Sequence, residues 1–291
     1  MLMRLALFFC SLIVLPLLAR WLADALPEWA TFPLVPLAPL SLTLFAAIIL
    51  LWLADRWQAR RGGHSLLRLQ RGYFLAVALA SALLGWLLAW LNLFAESWLV
   101  PNSHDFTSSL LQTLLFALLA PLVLLLRTAF SAQAGLLKFL AGMPAMQWVT
   151  RHTAAHMLLL LALLGLTVGS VWSEYGFWLL WLAPLVLLVA LQLLWHESTV
   201  FDGITHGDWG RVIGAALSGL VIGNLLSLTF RLGGGTLIVQ LPNAGFSQLG
   251  YALFGLLCLQ LGDVIAEFWR GKQRGEVFKR KPFPISVIVE K

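Results

Sequence analysis

A chain of 291 residues that is 60% hydrophobic and only 11% charged lies far from soluble globular domains, which carry roughly 25% charge. It reads as an all-α polytopic membrane protein, and the net charge of +6 belongs to loops on one side of a bilayer, not to a nucleic-acid surface. Cys10 and Cys258 both sit in apolar runs near opposite ends, which argues against a disulfide framework and against a Cys-based metal site.

A spanning helix needs about 20 mostly apolar residues, and on that criterion about eight spans follow one another. The first covers about Leu5 to Ala25. Arg4 ahead of this apolar core gives it some likeness to a secretory signal, with Leu18-Ala19 a passable cleavage neighbourhood, but we read it as a retained span. Pro27, Pro33, Pro36 and Pro39 then break regular helix and predict an extended or interfacial loop. The second span, about Leu40 to Ala54, ends in the most basic internal stretch, DRWQARRGGHSLLRLQR. A third span from about Tyr73 to Phe94 returns through ESWLVPNSHDF to a fourth, about Ser109 to Leu126, with Pro121 inside it.

After a moderately apolar connection, spans five (about Thr153 to Trp172) and six (about Phe177 to Trp195) are joined only by SEYG. They are expected to form a tight antiparallel hairpin. Span seven, about Val212 to Phe230, carries Gly214, Ser218, Gly219 and Gly223 at spacings that let helix backbones approach closely. A glycine-rich loop leads to span eight, about Leu249 to Phe268, so that residues 1–269 make one integral membrane domain and residues 270–291 a basic tail. With the N-terminus inside and an even number of spans, only Arg20 and Arg231 of the 19 Lys and Arg fall on the outer face. Both termini are therefore expected in the cytoplasm of a cell with an inner membrane. Trp57, Trp98, Trp172, Trp195 and Trp269 stand at span ends, as interfacial anchors do.

Three groups of residues carry possible chemistry. The first is a histidine cluster on the inner face, His152, His156, His196 and His206, with Glu197, Asp202 and Asp208 nearby in sequence. Imidazoles one helical turn apart, joined by a third ligand from a neighbouring helix, suit a divalent metal, and two histidines on opposing helices suit haem b. Ordinary interfacial polarity explains the same residues, since a histidine at a helix C-terminus is favoured by the dipole.

The second group is a polar track within the apolar runs, Asn224, Gln260, Asp263 and Glu267, with Gln112 and Gln192 at comparable depth. Such groups serve either transport or interhelical hydrogen bonding. The third is Arg270, Lys272, Arg274, Lys279, Arg280 and Lys281, which suit anionic lipid headgroups at about 1 kcal/mol per charge near the surface.

The Gly233–Gly235 run lacks the lysine and hydroxyl of a phosphate loop, and the chain carries neither a nucleophile elbow nor a HExxH motif. The reading that results is a non-catalytic membrane subunit or assembly factor with membrane-protein partners, ahead of a small transporter and a metal- or haem-dependent enzyme.

Overall fold

The computed structural model describes residues 38–60, 67, 70–100, 106–131, 144, 151–195 and 199–270, the side chains of residues 151, 152, 173, 205, 206, 269 and 270 excepted. Hydrocarbon offers backbone amides and carbonyls no partners, so apolar runs of this length close their hydrogen bonds internally as helices. Seven helices among the described residues are long and apolar enough to cross a membrane. They are α1 (Ala38–Arg60), α2 (Arg71–Ala95), α3 (Phe106–Ser131), α4 (Arg151–Val171), α5 (Ser173–Leu194), α6 (Gly210–Leu232) and α7 (Ala244–Arg270). They match the second to eighth expected spans; the first, Leu5–Ala25, and the tail beyond Arg270 lie outside the described residues.

Most helices outrun the apolar segments that signal them. α7 begins five residues before the expected Leu249 because the Asn243 side chain accepts a hydrogen bond from the Phe246 amide at 3.3 Å, which satisfies a first-turn donor. The expected SEYG turn is helical as well. Only Trp172 separates α4 from α5, and Glu174 sits in the first turn of α5, where a carboxylate is favoured. Pro39 falls in the first turn of α1, where its missing amide leaves no bond unmade.

α1, α2, α3, α6 and α7 pack into one body. α5 leans on it through α7 and α2, while α4 lies mainly along α5. The hairpin closes on glycine: a Cβ on Gly169 would come within 3.0 Å of the Gly176 carbonyl. α6 and α7 meet at Gly219 and Gly255, whose Cα atoms would each lie under 3 Å from a Cβ placed on the other. The core between these contacts is made of Leu122, Leu125, Ile222, Leu259 and their neighbours. Leu79, Leu83, Trp86, Trp90 and Leu93 face outward along α2 at helical spacing, an apolar perimeter suited to lipid.

Pro121 is buried in α3, and the rung of the backbone ladder just before it is bridged from another helix. The Ser81 hydroxyl of α2 donates to the Phe116 carbonyl and accepts from the Ala120 amide at 3.0 Å, standing inside the α3 ladder one residue before the proline. Proline and a side chain inserted into the ladder are the usual causes of helix kinks.

The two ends of the bundle differ. One carries a two-stranded antiparallel pair, β1 (Trp98–Leu99) with β2 (Ile238–Val239), in which Trp98 faces Val239 and Leu99 faces Ile238. Asn92 builds the turn into β1: its side chain donates to the Trp98 carbonyl at 2.7 Å and accepts from the Ser97 and Trp98 amides. Glu96 takes the left-handed conformation there, at φ 46°. The other end holds every described arginine except Arg231. Trp172 and Trp195 are exposed at helix ends as expected of anchors, whereas Trp98 is half-buried against Trp181, their ring centroids 6.5 Å apart.

Candidate functional site

At the basic end, α6 and α7 bring Arg211 and Asp263 into an ion pair whose side chains are only 17% and 13% exposed. Arg127 of α3 enters the same region: its Cγ would lie 3.6 Å from a Cβ on Gly214, one turn along α6 from Arg211. Glu267 is one turn beyond Asp263 on α7 and half-buried. Tyr73 donates to the Gly262 carbonyl at 3.0 Å, and Thr128 donates to Gln58 at 3.1 Å, so α2 and α1 are tied to the same end. Asp55 is buried and accepts from the Leu67 amide at 3.3 Å.

Of the expected polar track, Asp263 and Glu267 therefore belong to this charged centre. Gln260 lies one turn deeper, fully buried, its Oε1 accepting from the Val200 amide at 2.9 Å. Asn224 lies elsewhere. It is on the exposed perimeter of α6, paired with Gln248 of α7 through two reciprocal amide bonds of 2.7 and 2.9 Å. Thirteen residues of α6 separate it from Arg211, about 20 Å of helical rise.

The histidine cluster is placed only in part. His156 is exposed on α4, His152 and His206 belong to α4 and to the 3-10 turn Asp202–His206, and His196 lies outside the described residues. The hairpin does bring the start of α4 and the end of α5 to one end of the bundle. No group of three His, Cys, Asp or Glu able to hold a metal ion occurs among the described residues. Asp202 and Asp208 serve the loop itself: Asp202 accepts from the Thr199 amide and hydroxyl at 3.1 and 2.9 Å, and Asp208 accepts from the Gly210 amide at 2.9 Å. The lipid-facing candidates Lys272, Arg274, Lys279, Arg280 and Lys281 are outside the described residues, and Arg270 closes α7.

Arg127 and Arg211 fall among the Lys and Arg that the charge pattern assigns to the inner side. Both sit inside helices that extend past their apolar runs, and the available signal was their position within one or two turns of those runs. Sequence reading missed an apolar cavity at the strand end, of about 360 Å³, walled by α1, α2, α3, α6 and α7, flanked by Trp181 of α5 and bordered by Trp98 and Val239 of the strand pair. Gln112, flagged for its depth, stands in that wall.

Fold and site together define a multi-pass helical membrane protein with a charged interhelical centre at one end and an apolar cavity at the other. No protein-family model, curated protein or solved structure matches this chain.

Proposed function

We propose that this chain is a non-catalytic subunit or assembly factor of a larger membrane complex, and that the α6–α7 face bearing Asn224 and Gln248 receives a transmembrane helix of its partner. The exposed amide pair carries the reading. Asn224 lies eight residues below the strand end of α6, about 12 Å into the apolar thickness, and its neighbours on that face are Val221, Leu228 and Leu232. Polar side chains directed at lipid are costly, and amides hydrogen-bonding between helices are a common glue of membrane assemblies. Each amide of the pair retains capacity for another bond, which a polar residue on a partner helix satisfies.

The arginine distribution supports an inner-membrane protein with its basic end, and both termini, on the cytoplasmic side, the tail adhering to anionic headgroups. Extraction in mild detergent is expected to yield stoichiometric partner chains, released by the paired substitution Asn224→Leu and Gln248→Leu. A wild-type protein that runs alone as a monomer sinks the proposal. The same sample distinguishes the cofactor reading: a Soret band lost in His156→Ala or His196→Ala makes the protein haem-binding instead.

A further inference from the structure

We propose that the connection from α6 to α7 is a hinged flap, which swings between Gly235 and Asn243 and opens the apolar cavity to the aqueous face at the strand end. The flap is the segment Thr236–Pro242, which includes β2. Successive side chains of a strand point to opposite faces, and here the inward set forms a roof. Leu237, Val239 and Leu241 line the cavity, as do Trp98 and Val100 from the β1 side, whereas Leu99, Ile238 and Gln240 do not.

Two strands make this roof, and one of them is anchored. Asn92 holds β1 by donating to the Trp98 carbonyl and accepting from the Ser97 and Trp98 amides, and the Trp98 ring rests against Trp181. The flap has no comparable side-chain tie. Among the described residues, its hydrogen bonds to the bundle are the ladder of two residue pairs with β1 and the Gln240 amide donating to the Ser97 carbonyl at 3.0 Å. The Thr236 and Gln240 side chains add none. Its two ends are fixed: the Gly235 amide donates to the Phe230 carbonyl at 3.0 Å, and Asn243 accepts from the Phe246 amide as α7 begins. Gly235 lacks the Cβ that would restrain the turn leaving it, which suits it to a hinge. Most of the segment between these ends is exposed. An exposed segment with few buried contacts and solvent-facing backbone bonds is where local opening costs least, and hinged loops of this kind gate enclosed sites. Lifting it removes Leu237, Val239 and Leu241 from the roof together, while β1 stays in place.

The test uses the full chain in lipid nanodiscs, with Cys10→Ala and Cys258→Ala removing the native thiols and Ser227→Cys placing one in the cavity wall. A negatively charged maleimide approaches that thiol through water, and its attachment is read by mass spectrometry of the peptide carrying position 227. Leu99→Cys with Ile238→Cys then ties the two strands on their outer side, where these residues face one another and both are exposed. Modification at position 227 is expected in the reduced protein, and at least tenfold slower once the disulfide has formed. Equal rates in the two states overturn the proposal. So does a thiol that stays unmodified in the reduced protein while reacting fully in dodecyl sulfate. Where the disulfide does not form, or Ser227→Cys fails to fold, hydrogen exchange in the wild type decides. The Gln240 amide is expected to exchange at least tenfold faster than the Ser97 and Trp98 amides, because it opens with the flap while Asn92 retains the other two. Equal protection of all three overturns the proposal.

Discussion

The two ends of this bundle are built from the same apolar helices and solve opposite problems. At the basic end the chain brings charges below the helix termini and ties them across helices: Arg211 to Asp263, Gln58 to Thr128, Tyr73 to the Gly262 carbonyl. At the strand end it satisfies backbone groups locally, through Asn92 and a ladder of two residue pairs, and leaves about 360 Å³ of apolar space beneath them. A buried charge without its partner costs several kcal/mol, so the basic end is bound to one arrangement. An apolar wall has no such constraint and tolerates a range of occupants. The basic end is therefore held by paired charges, and the strand end keeps open apolar space.

The largest expected effect breaks the first half of that contrast. Asp263→Leu removes the Asp263 carboxylate from beside Arg211, whose side chain is only 17% exposed. Loss of one partner of a buried pair costs about 3–5 kcal/mol, while replacing both, as in Arg211→Met with Asp263→Leu, restores most of it. Unfolding titrations in mixed micelles measure the difference, and equal stability of Asp263→Leu and wild type would show that the pair holds nothing together.

The next effect lies between the two ends. Gly219→Ala places a methyl group against the Tyr251 carbonyl and 2.8 Å from the Gly255 Cα, where backbone leaves it no room to yield. Overpacking a close contact costs about 1–3 kcal/mol, and the α6–α7 separation that results loosens the charged centre and the cavity together. The same titration reads it. An unchanged midpoint would mean that the two helices part freely, and that the ends are not coupled through this crossing.

Much of this architecture was legible in the sequence, and the reasons it was not wholly so are physical. Seven of the apolar runs became helices because hydrocarbon leaves the backbone no alternative. The small residues of α6 foretold its close packing, and the short link between α4 and α5 foretold their hairpin. The partners of polar residues were hidden, since they depend on which helices become neighbours. Asp263 was open to a transport track or an interhelical bond until its neighbour on α6, Arg211, was in view, and the outward-facing partner of Asn224, Gln248, could not be named from spacing along either run. The strand pair is invisible locally, because two residues on each side carry no periodic signal and the pairing joins positions about 140 residues apart. The cavity is a property of five helices at once, and no one of them announces it.

The smallest effect sharpens the contrast at the point where the ends meet. Ser81 stands in the α3 ladder beside Pro121, on α2 one turn from Gly85, which lines the cavity. Ser81→Ala leaves the Ala120 amide and the Phe116 carbonyl without the hydroxyl that joins them. Buried groups left unsatisfied cost about 1–3 kcal/mol, whereas hydrogen bonds between membrane helices average about 0.6 kcal/mol because disrupted segments find other partners. A loss of about 1 kcal/mol is therefore expected in the unfolding titration. Its consequence is directional: the half of α3 toward the strand end carries Gln112, Phe116 and Leu119 of the cavity wall, while the half beyond Pro121 carries Arg127 into the charged centre. Hydrogen exchange of α3 amides in Ser81→Ala is expected to quicken from Phe116 to Ala120 and in the turn toward the cavity, with Leu124–Arg127 unchanged. Exchange that rises equally on both sides of Pro121 would show that α3 moves as one rod, and would remove the mechanical basis for treating the two ends as separate.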